Sequence, residues 1–324
     1  MPPSTTEPSP ALRISVVHPE DAARDHWCRA LRAELAQATV FPWPGPQPAP
    51  TEAATHFGVG WKPPAEYFAE HPGLSAFFTA GAGVDHLLGL NGLPEALPIV
   101  RLEDAGMADQ MFVYCLHEIL RGLNRADEYE RQQREGRWHE LAARPLASLR
   151  IGVFGLGALG GELAGRLAAL GFTVSGFARS AHRIDGVRCL HGDAQWPGFL
   201  AGCDVLVLMA PLTADTRHVI GARALAMLPP GAWLINVARG ALVDEGALLA
   251  ALDTGPLAGA TLDVFAHEPL PAAHAFWQHP KIRLTPHVAA QTLIDPSARQ
   301  VADKIRRLLQ RESVSGLVDR QRGY

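Results

Sequence analysis

Apolar runs four to six residues long alternate with helix-period stretches along most of the chain. That alternation is the pattern of a parallel sheet whose strands are joined by helices. Arg13-Ile14-Ser15-Val16-Val17 opens the first strand, and Trp27, Leu31 and Leu35 then recur every four residues, one face of a helix. Residues 41–50 hold so many prolines that they are expected to form a loop. Further strands are predicted over 55–59, 76–79 and 98–102. A long helix follows over 109–124, and then a charged stretch that ends at Arg144-Pro145.

The strongest segment begins at Arg150-Ile151-Gly152-Val153-Phe154, a buried strand by its composition. Leu159, Leu163, Leu167 and Leu170 mark one face of the next helix, and 173–177 is again a strand. Apolar strands are predicted over 204–209, 232–237 and 258–262, and a final amphipathic helix over 296–309. No fixed-period repeat is visible. The pattern predicts a dinucleotide-binding domain over 109–291 inserted into a smaller α/β domain made of 11–108 and 292–324. Residues 1–10, rich in Pro, Ser and Thr, are expected to be a disordered tail.

Composition narrows this further. The 324 residues are 48% hydrophobic and 19% charged, as in ordinary globular proteins, and suffice for two domains. A formal net charge of −4 argues against a broad nucleic-acid footprint. No run of eighteen apolar residues exists, so no membrane partner is expected. Cys28, Cys115, Cys189 and Cys203 form no Cys-x-x-Cys pair and no secretory signal opens the chain, which points to a reducing, cytoplasmic setting. His86, His117 and His139 fall at unrelated spacings, so no metal is expected.

The chemistry starts at Gly155-Leu156-Gly157-Ala158-Leu159-Gly160, a G-x-G-x-x-G run directly after a strand and before a helix. Gly155 permits the tight turn, Gly157 lets a pyrophosphate approach the backbone, and Gly160 lets helix and strand pack closely. The context makes the motif specific for a dinucleotide, although S-adenosylmethionine sites share part of it. The fold class is accordingly α/β, with two doubly wound parallel-sheet domains (Rossmann- or flavodoxin-like) and an expected interdomain cleft. After the next strand the chain reads Ala178-Arg179-Ser180, with Arg183 shortly beyond, and lacks the acid that holds a ribose 2′-hydroxyl. A guanidinium there suits a 2′-phosphate, so Arg179, Ser180 and Arg183 point to NADPH, with NADH the weaker alternative.

Three more motifs follow in order. They are Asn236-Val237-Ala238-Arg239-Gly240, Asp263-Val264-Phe265-Ala266-His267-Glu268-Pro269-Leu270 and Thr285-Pro286-His287-Val288-Ala289-Ala290. With Gly81-Ala82-Gly83-Val84-Asp85, this series resembles the D-2-hydroxyacid dehydrogenase family from residue 81 to the C-terminus. Arg101-Leu102-Glu103-Asp104, the Arg179-Ser180 pair and Val318-Asp319-Arg320-Gln321-Arg322-Gly323-Tyr324 resemble its glyoxylate/hydroxypyruvate reductase branch. The branch resemblance implies NADPH-dependent reduction of small 2-oxo acids. The family resemblance implies a homodimer with the helix over 109–124 at the interface.

Residue roles follow from this resemblance and from the reaction's needs. A planar guanidinium can bind a carboxylate and polarise the carbonyl beside it, which is assigned to Arg239. An imidazole holds and releases a proton near neutral pH, so His287 is the expected general acid. Glu268 resembles the family's carboxylate partner for that ring, and His267 beside it is read as a bystander. The resemblance also places Pro211, Leu212, Thr213, Val237, Ala238 and Asp263 along the cofactor. It gives the backbone N–H groups of Ala82 and Gly83 to the substrate carboxylate. Trp61 is read either as a wall of the substrate pocket or as a packing residue.

Two alternatives stay open. One is a nucleotide-sensing scaffold like the C-terminal-binding-protein corepressors, which share the fold. The other keeps the chemistry but acts on another D-2-hydroxy acid.

Overall fold

Each predicted apolar strand becomes a strand of one of two parallel sheets. The computed structural model describes residues 11–49 and 54–324, so the tail expected over 1–10 and the end of the loop expected at Pro50 lie outside the described residues. The chain divides into two compact units. One runs to Gly106 and resumes over Thr292–Tyr324, and the other is Met107–Gln291.

The first unit holds β1 (Leu12–Val17), α1 (Asp21–Glu34), β2 (Ala38–Trp43), β3 (Thr55–Gly60), α2 (Ala65–Glu70), β4 (Ala76–Thr79), α3 (Asp85–Leu88) and β5 (Ile99–Arg101). Its sheet order is β2-β1-β3-β4-β5, the flavodoxin-like order. Trp27 and Leu31 of α1 are fully buried, and α1 packs on the C-terminal helix Ile294–Leu309. Tyr67, Phe68, Phe77 and Leu87 belong to a second cluster, from which water is excluded.

One expectation fails here. The segment 41–50 is not all loop, because β2 takes in Phe41, Pro42 and Trp43, with Pro42 paired to Val16. β2 is an edge strand, and an edge has a free side on which a missing N–H costs no ladder bond.

The second unit holds α4 (Met107–Leu123), α5 (Ala126–Arg134), β6 (Arg150–Phe154), α6 (Ala158–Ala169), β7 (Thr173–Ala178), β8 (Val187–His191), α7 (Trp196–Ala201), β9 (Val205–Leu208), α8 (Ala222–Leu225), β10 (Ala232–Asn236), α9 (Glu245–Asp253), β11 (Leu257–Leu262) and β12 (Ile282–Leu284). The sheet order is β12-β11-β10-β9-β6-β7-β8. Strand order reverses between β6 and β9, and doubly wound sheets take their ligands beyond the carboxyl ends at such a point. Leu206, Leu208 and Leu234 pack on one face, and Ile151, Val153, Val207 and Ile235 on the other. Burial on both faces explains why these strands read as continuous apolar runs. Leu170, expected on the buried face of α6, instead caps its C-terminus and is exposed.

Candidate active site

Gly155 adopts φ +103°, and a Cβ there would sit 2.4 Å from the Ala210 nitrogen, so only glycine fits this turn. A Cβ on Gly160 would lie 1.9 Å from the Gly155 carbonyl oxygen, which measures how closely α6 approaches the strand end. Gly157 differs, because a Cβ there would meet nothing within 4 Å. No neighbouring side chain demands a glycine at 157, so the space it leaves is available to a ligand. Gly157 is also the N-cap of α6, without a side-chain cap bond and without an acid in the first turn. Free N–H groups, a positive dipole end and open space together fit an anionic pyrophosphate. Leu156 is buried against Gly176 and is a packing residue of this turn.

Arg179 and Ser180 are exposed immediately beyond the carboxyl end of β7. Arg183 lines a shallow groove with Gly165, Ala168 and Ala169. Those positions lie roughly two to three turns along α6 from its N-terminus, so this groove stands apart from the phosphate loop. Beyond β9, the Thr213 N–H and the Pro211 carbonyl both bind the Thr216 hydroxyl, at 2.7 Å each, which gives the Pro211-Leu212-Thr213 loop a fixed shape.

Arg239, Glu268 and His287 follow the carboxyl ends of β10, β11 and β12, three adjacent strands. Asn236, buried at the end of β10, donates from its amide to the Arg239 carbonyl oxygen at 2.9 Å and accepts from the Ala238 N–H at 3.1 Å. This clamp shapes the Val237-Ala238-Arg239 turn. A Cβ on Gly240 would lie 1.9 Å from the Phe265 carbonyl carbon, so the Arg239 loop lies against the backbone that leads to Glu268.

Glu268 Oε2 is 2.8 Å from His287 Nδ1, and Oε1 accepts the Phe265 N–H at 3.0 Å. Burial works to raise the Glu268 carboxyl. The hydrogen bonds from His287 and Phe265, with the charges of His287 and Arg239, outweigh it and hold the group below its usual range. A carboxylate accepts only, so His287 donates from Nδ1. The His287 side chain keeps 42% of its surface in contact with solvent, which leaves the ring accessible for proton exchange.

Asp263 is 1% exposed and its carboxylate accepts three bonds, from the Thr285 hydroxyl at 2.6 Å, the Val288 N–H at 2.8 Å and the Ala289 N–H at 2.9 Å. The role of this residue in shaping the His287 loop was not read from sequence, nor was that of Asn236. Both are polar residues that end an apolar strand, and that position is the signal that could have marked them. In the first unit, Trp61 follows β3 and its ring lies 4.2 Å from that of His86. A Cβ on Gly81 would be 2.4 Å from the Trp61 ring, so this tryptophan packs directly on the turn that continues through half-buried Ala82 and Gly83.

Among the described residues, no helix is long and apolar enough to cross a membrane, and no group of three or more His, Cys, Asp or Glu could hold a metal. The family described as "D-isomer specific 2-hydroxyacid dehydrogenase, NAD binding domain" matches residues 116–289. The chain is 41% identical to glyoxylate/hydroxypyruvate reductase A of Serratia proteamaculans over 97% of its own length and 100% of that protein's. Among solved structures, it resembles a D-isomer specific 2-hydroxyacid dehydrogenase of Xanthobacter autotrophicus in complex with NADPH and MES. That match has a TM-score of 0.91 and 41% identity and covers 98% of this chain and 100% of that one. It also resembles an NADPH-dependent glyoxylate/hydroxypyruvate reductase of Sinorhizobium meliloti in complex with NADP and sulfate, with TM-score 0.88, 33% identity and coverage of 96% and 99%. By sequence and by fold, the chain belongs to the D-isomer specific 2-hydroxyacid dehydrogenase family.

Proposed function

We propose that this chain reduces small 2-oxo acids, glyoxylate and hydroxypyruvate foremost, to D-2-hydroxy acids with NADPH, and with NADH more weakly. The observation that carries this reading is the His287–Glu268 pair, 2.8 Å apart, in the loops that follow β11 and β12, with the Arg239 loop following β10, the next strand of the sheet. The names of the Serratia and Sinorhizobium relatives and the cofactors in the two bacterial complexes support it.

In this reading the Gly155–Gly160 turn and the first turn of α6 hold the pyrophosphate, Arg179 and Ser180 hold the 2′-phosphate, and Pro211 to Thr213, Val237 and Ala238 line the dinucleotide. Three of about four acceptor positions on the Asp263 carboxylate are taken within the protein, leaving one for the carboxamide. Arg183 is the weakest member of the set, given the distance of its groove along α6. Bound there, the nicotinamide supplies a hydride to the carbonyl carbon. Arg239 holds the substrate carboxylate and stabilises the charge growing on the carbonyl oxygen. His287, with Nδ1 bonded to Glu268, gives that oxygen the proton on Nε2, and Glu268 stabilises the imidazolium before transfer and sets the ring's orientation.

For the first unit we propose that the N–H groups of Ala82 and Gly83 receive a carboxylate, with Trp61 packed beside them. We further propose a cytoplasmic homodimer, in keeping with four free cysteines, three of them buried.

The test is an assay of purified protein that follows NADPH absorbance across a panel of 2-oxo acids, with NADH in parallel. Glyoxylate and hydroxypyruvate should be reduced fastest, and faster with NADPH. Cofactor binding without turnover of any 2-oxo acid would overturn the reading in favour of a nucleotide-sensing scaffold.

A further inference from the structure

His287 stands in the left-handed region at φ +57°, where a side chain other than glycine rests only if its surroundings hold it. The holding groups form a continuous chain. The His287 N–H donates to the Asp263 carbonyl oxygen at 2.8 Å, and the two residues after it donate their N–H groups to opposite oxygens of the Asp263 carboxylate. Because both oxygens accept backbone N–H groups, the Thr285 hydroxyl, 2.6 Å from Oδ1, must donate to it. The Thr285 oxygen therefore accepts the next bond, from the hydroxyl of Tyr114 on α4 at 2.5 Å. Each proton in the chain has one direction: Tyr114 to Thr285, Thr285 to Asp263.

We propose that Tyr114 and Thr285 are positioning residues for His287, acting through Asp263 to fix the loop that aims its imidazole. This rests on the reading of His287 as the proton donor. Burial pushes the Tyr114 hydroxyl well above its ordinary range, helped by the charges of Asp263 and Glu118 and opposed by the bond to Thr285. The shift favours the neutral hydroxyl, the form that can donate. Tyr114 lies 171 residues before Thr285 in the chain, and its hydroxyl is linked to Asp263 only through Thr285, whose own hydroxyl bonds the carboxylate. Removing the Tyr114 hydroxyl leaves Thr285 bound at one end only, which frees the loop and loosens the His287–Glu268 bond. Small displacements of a proton donor lower turnover without changing what the protein binds.

The experiment compares Tyr114→Phe, Thr285→Val and Thr285→Ser with the parent protein, alone and combined with His287→Asn. Tyr114→Phe should lower kcat on the order of tenfold, with a much smaller change in KM for glyoxylate and in Kd for NADPH. Thr285→Val should lower kcat further, and Thr285→Ser, which keeps the hydroxyl, should restore it. In the His287→Asn background Tyr114→Phe should change the residual rate by less than about twofold, because there is no longer a ring to aim. A full, multiplicative loss in that background would overturn the proposal, as would an unchanged kcat in Tyr114→Phe and Thr285→Val. The NMR signals of the His287 ring give a readout without substrate. They should shift in Tyr114→Phe and in Thr285→Val and stay at the parent positions in Thr285→Ser, and an unmoved ring signal in the first two overturns the relay even if the activity itself lies elsewhere. Conversely, a shifted ring signal in a protein that reduces no 2-oxo acid would sustain the relay and remove the functional reading.

Discussion

At the end of β6 the candidate site is made of backbone, with the Arg179 and Ser180 side chains added beyond β7, whereas on the β10–β12 side it is made of side chains held by other side chains. Gly155 and Gly160 are required by contacts within 3 Å, and Gly157 by nothing the protein itself supplies. The first side is thus a shaped absence, a turn kept clear for a ligand. The second side is crowded. Asn236 clamps the Arg239 turn, Asp263 takes three bonds from the His287 loop, and Glu268 is bound by both His287 and a backbone N–H. Binding a common dinucleotide needs room and a few N–H groups. Moving a proton needs one atom held in one place, and that takes a satisfied polar network.

If the two sides do separate work, substitutions should separate binding from turnover. Of the substitutions that separate the two sides, Arg239→Ala should come first, lowering kcat/KM for glyoxylate by about 10²–10³-fold while NADPH Kd stays put. Full activity in this variant would remove the arginine from the site, and a matching loss of NADPH affinity would merge the two sides. Arg179→Ala should act in the opposite sense. The preference for NADPH over NADH should fall roughly ten- to hundredfold, with kcat at saturating cofactor retained, and an unchanged ratio would place the 2′-phosphate elsewhere. The smallest effect sharpens the glycine side itself. Gly160→Ala should destabilise the cofactor-free protein by about 1–3 kcal/mol, because its Cβ meets the Gly155 carbonyl. Gly157→Ala should leave thermal stability within about 0.5 kcal/mol and yet weaken the stabilisation that NADPH confers. Equal melting losses in the two variants would contradict the claim that Gly157 is kept small for a ligand.

The same contrast explains what could be read from the sequence. The glycine turn is contiguous and its reason is steric, so six adjacent residues announce it. The motifs around Arg239, Glu268 and His287 are local too, and the structure sets these residues in the loops that follow three adjacent strands. Tyr114 was invisible because it looks like one more residue of an amphipathic helix and finds Thr285 only once the chain is folded. Thr285 and Asn236 stood inside motifs, but their work is holding backbone, and no spacing rule shows that.

In the fold, composition misled at Pro42, where an edge strand tolerates the residue that would break a central one. The short edge strands β8 and β12 escaped notice as well. The first mixes polar with apolar positions and the second is three residues long, so neither carries the buried run that marked the central strands.

The most direct test of the account is His287→Asn, assayed for turnover with glyoxylate and, separately, for NADPH affinity. If His287 is the proposed proton donor, loss of its ring should lower kcat by about 10²–10⁴-fold and leave Kd for NADPH at the parent value. Turnover close to that of the parent would mean that the proton comes from another group, and the arrangement around Glu268 and Asp263 would then serve some other purpose.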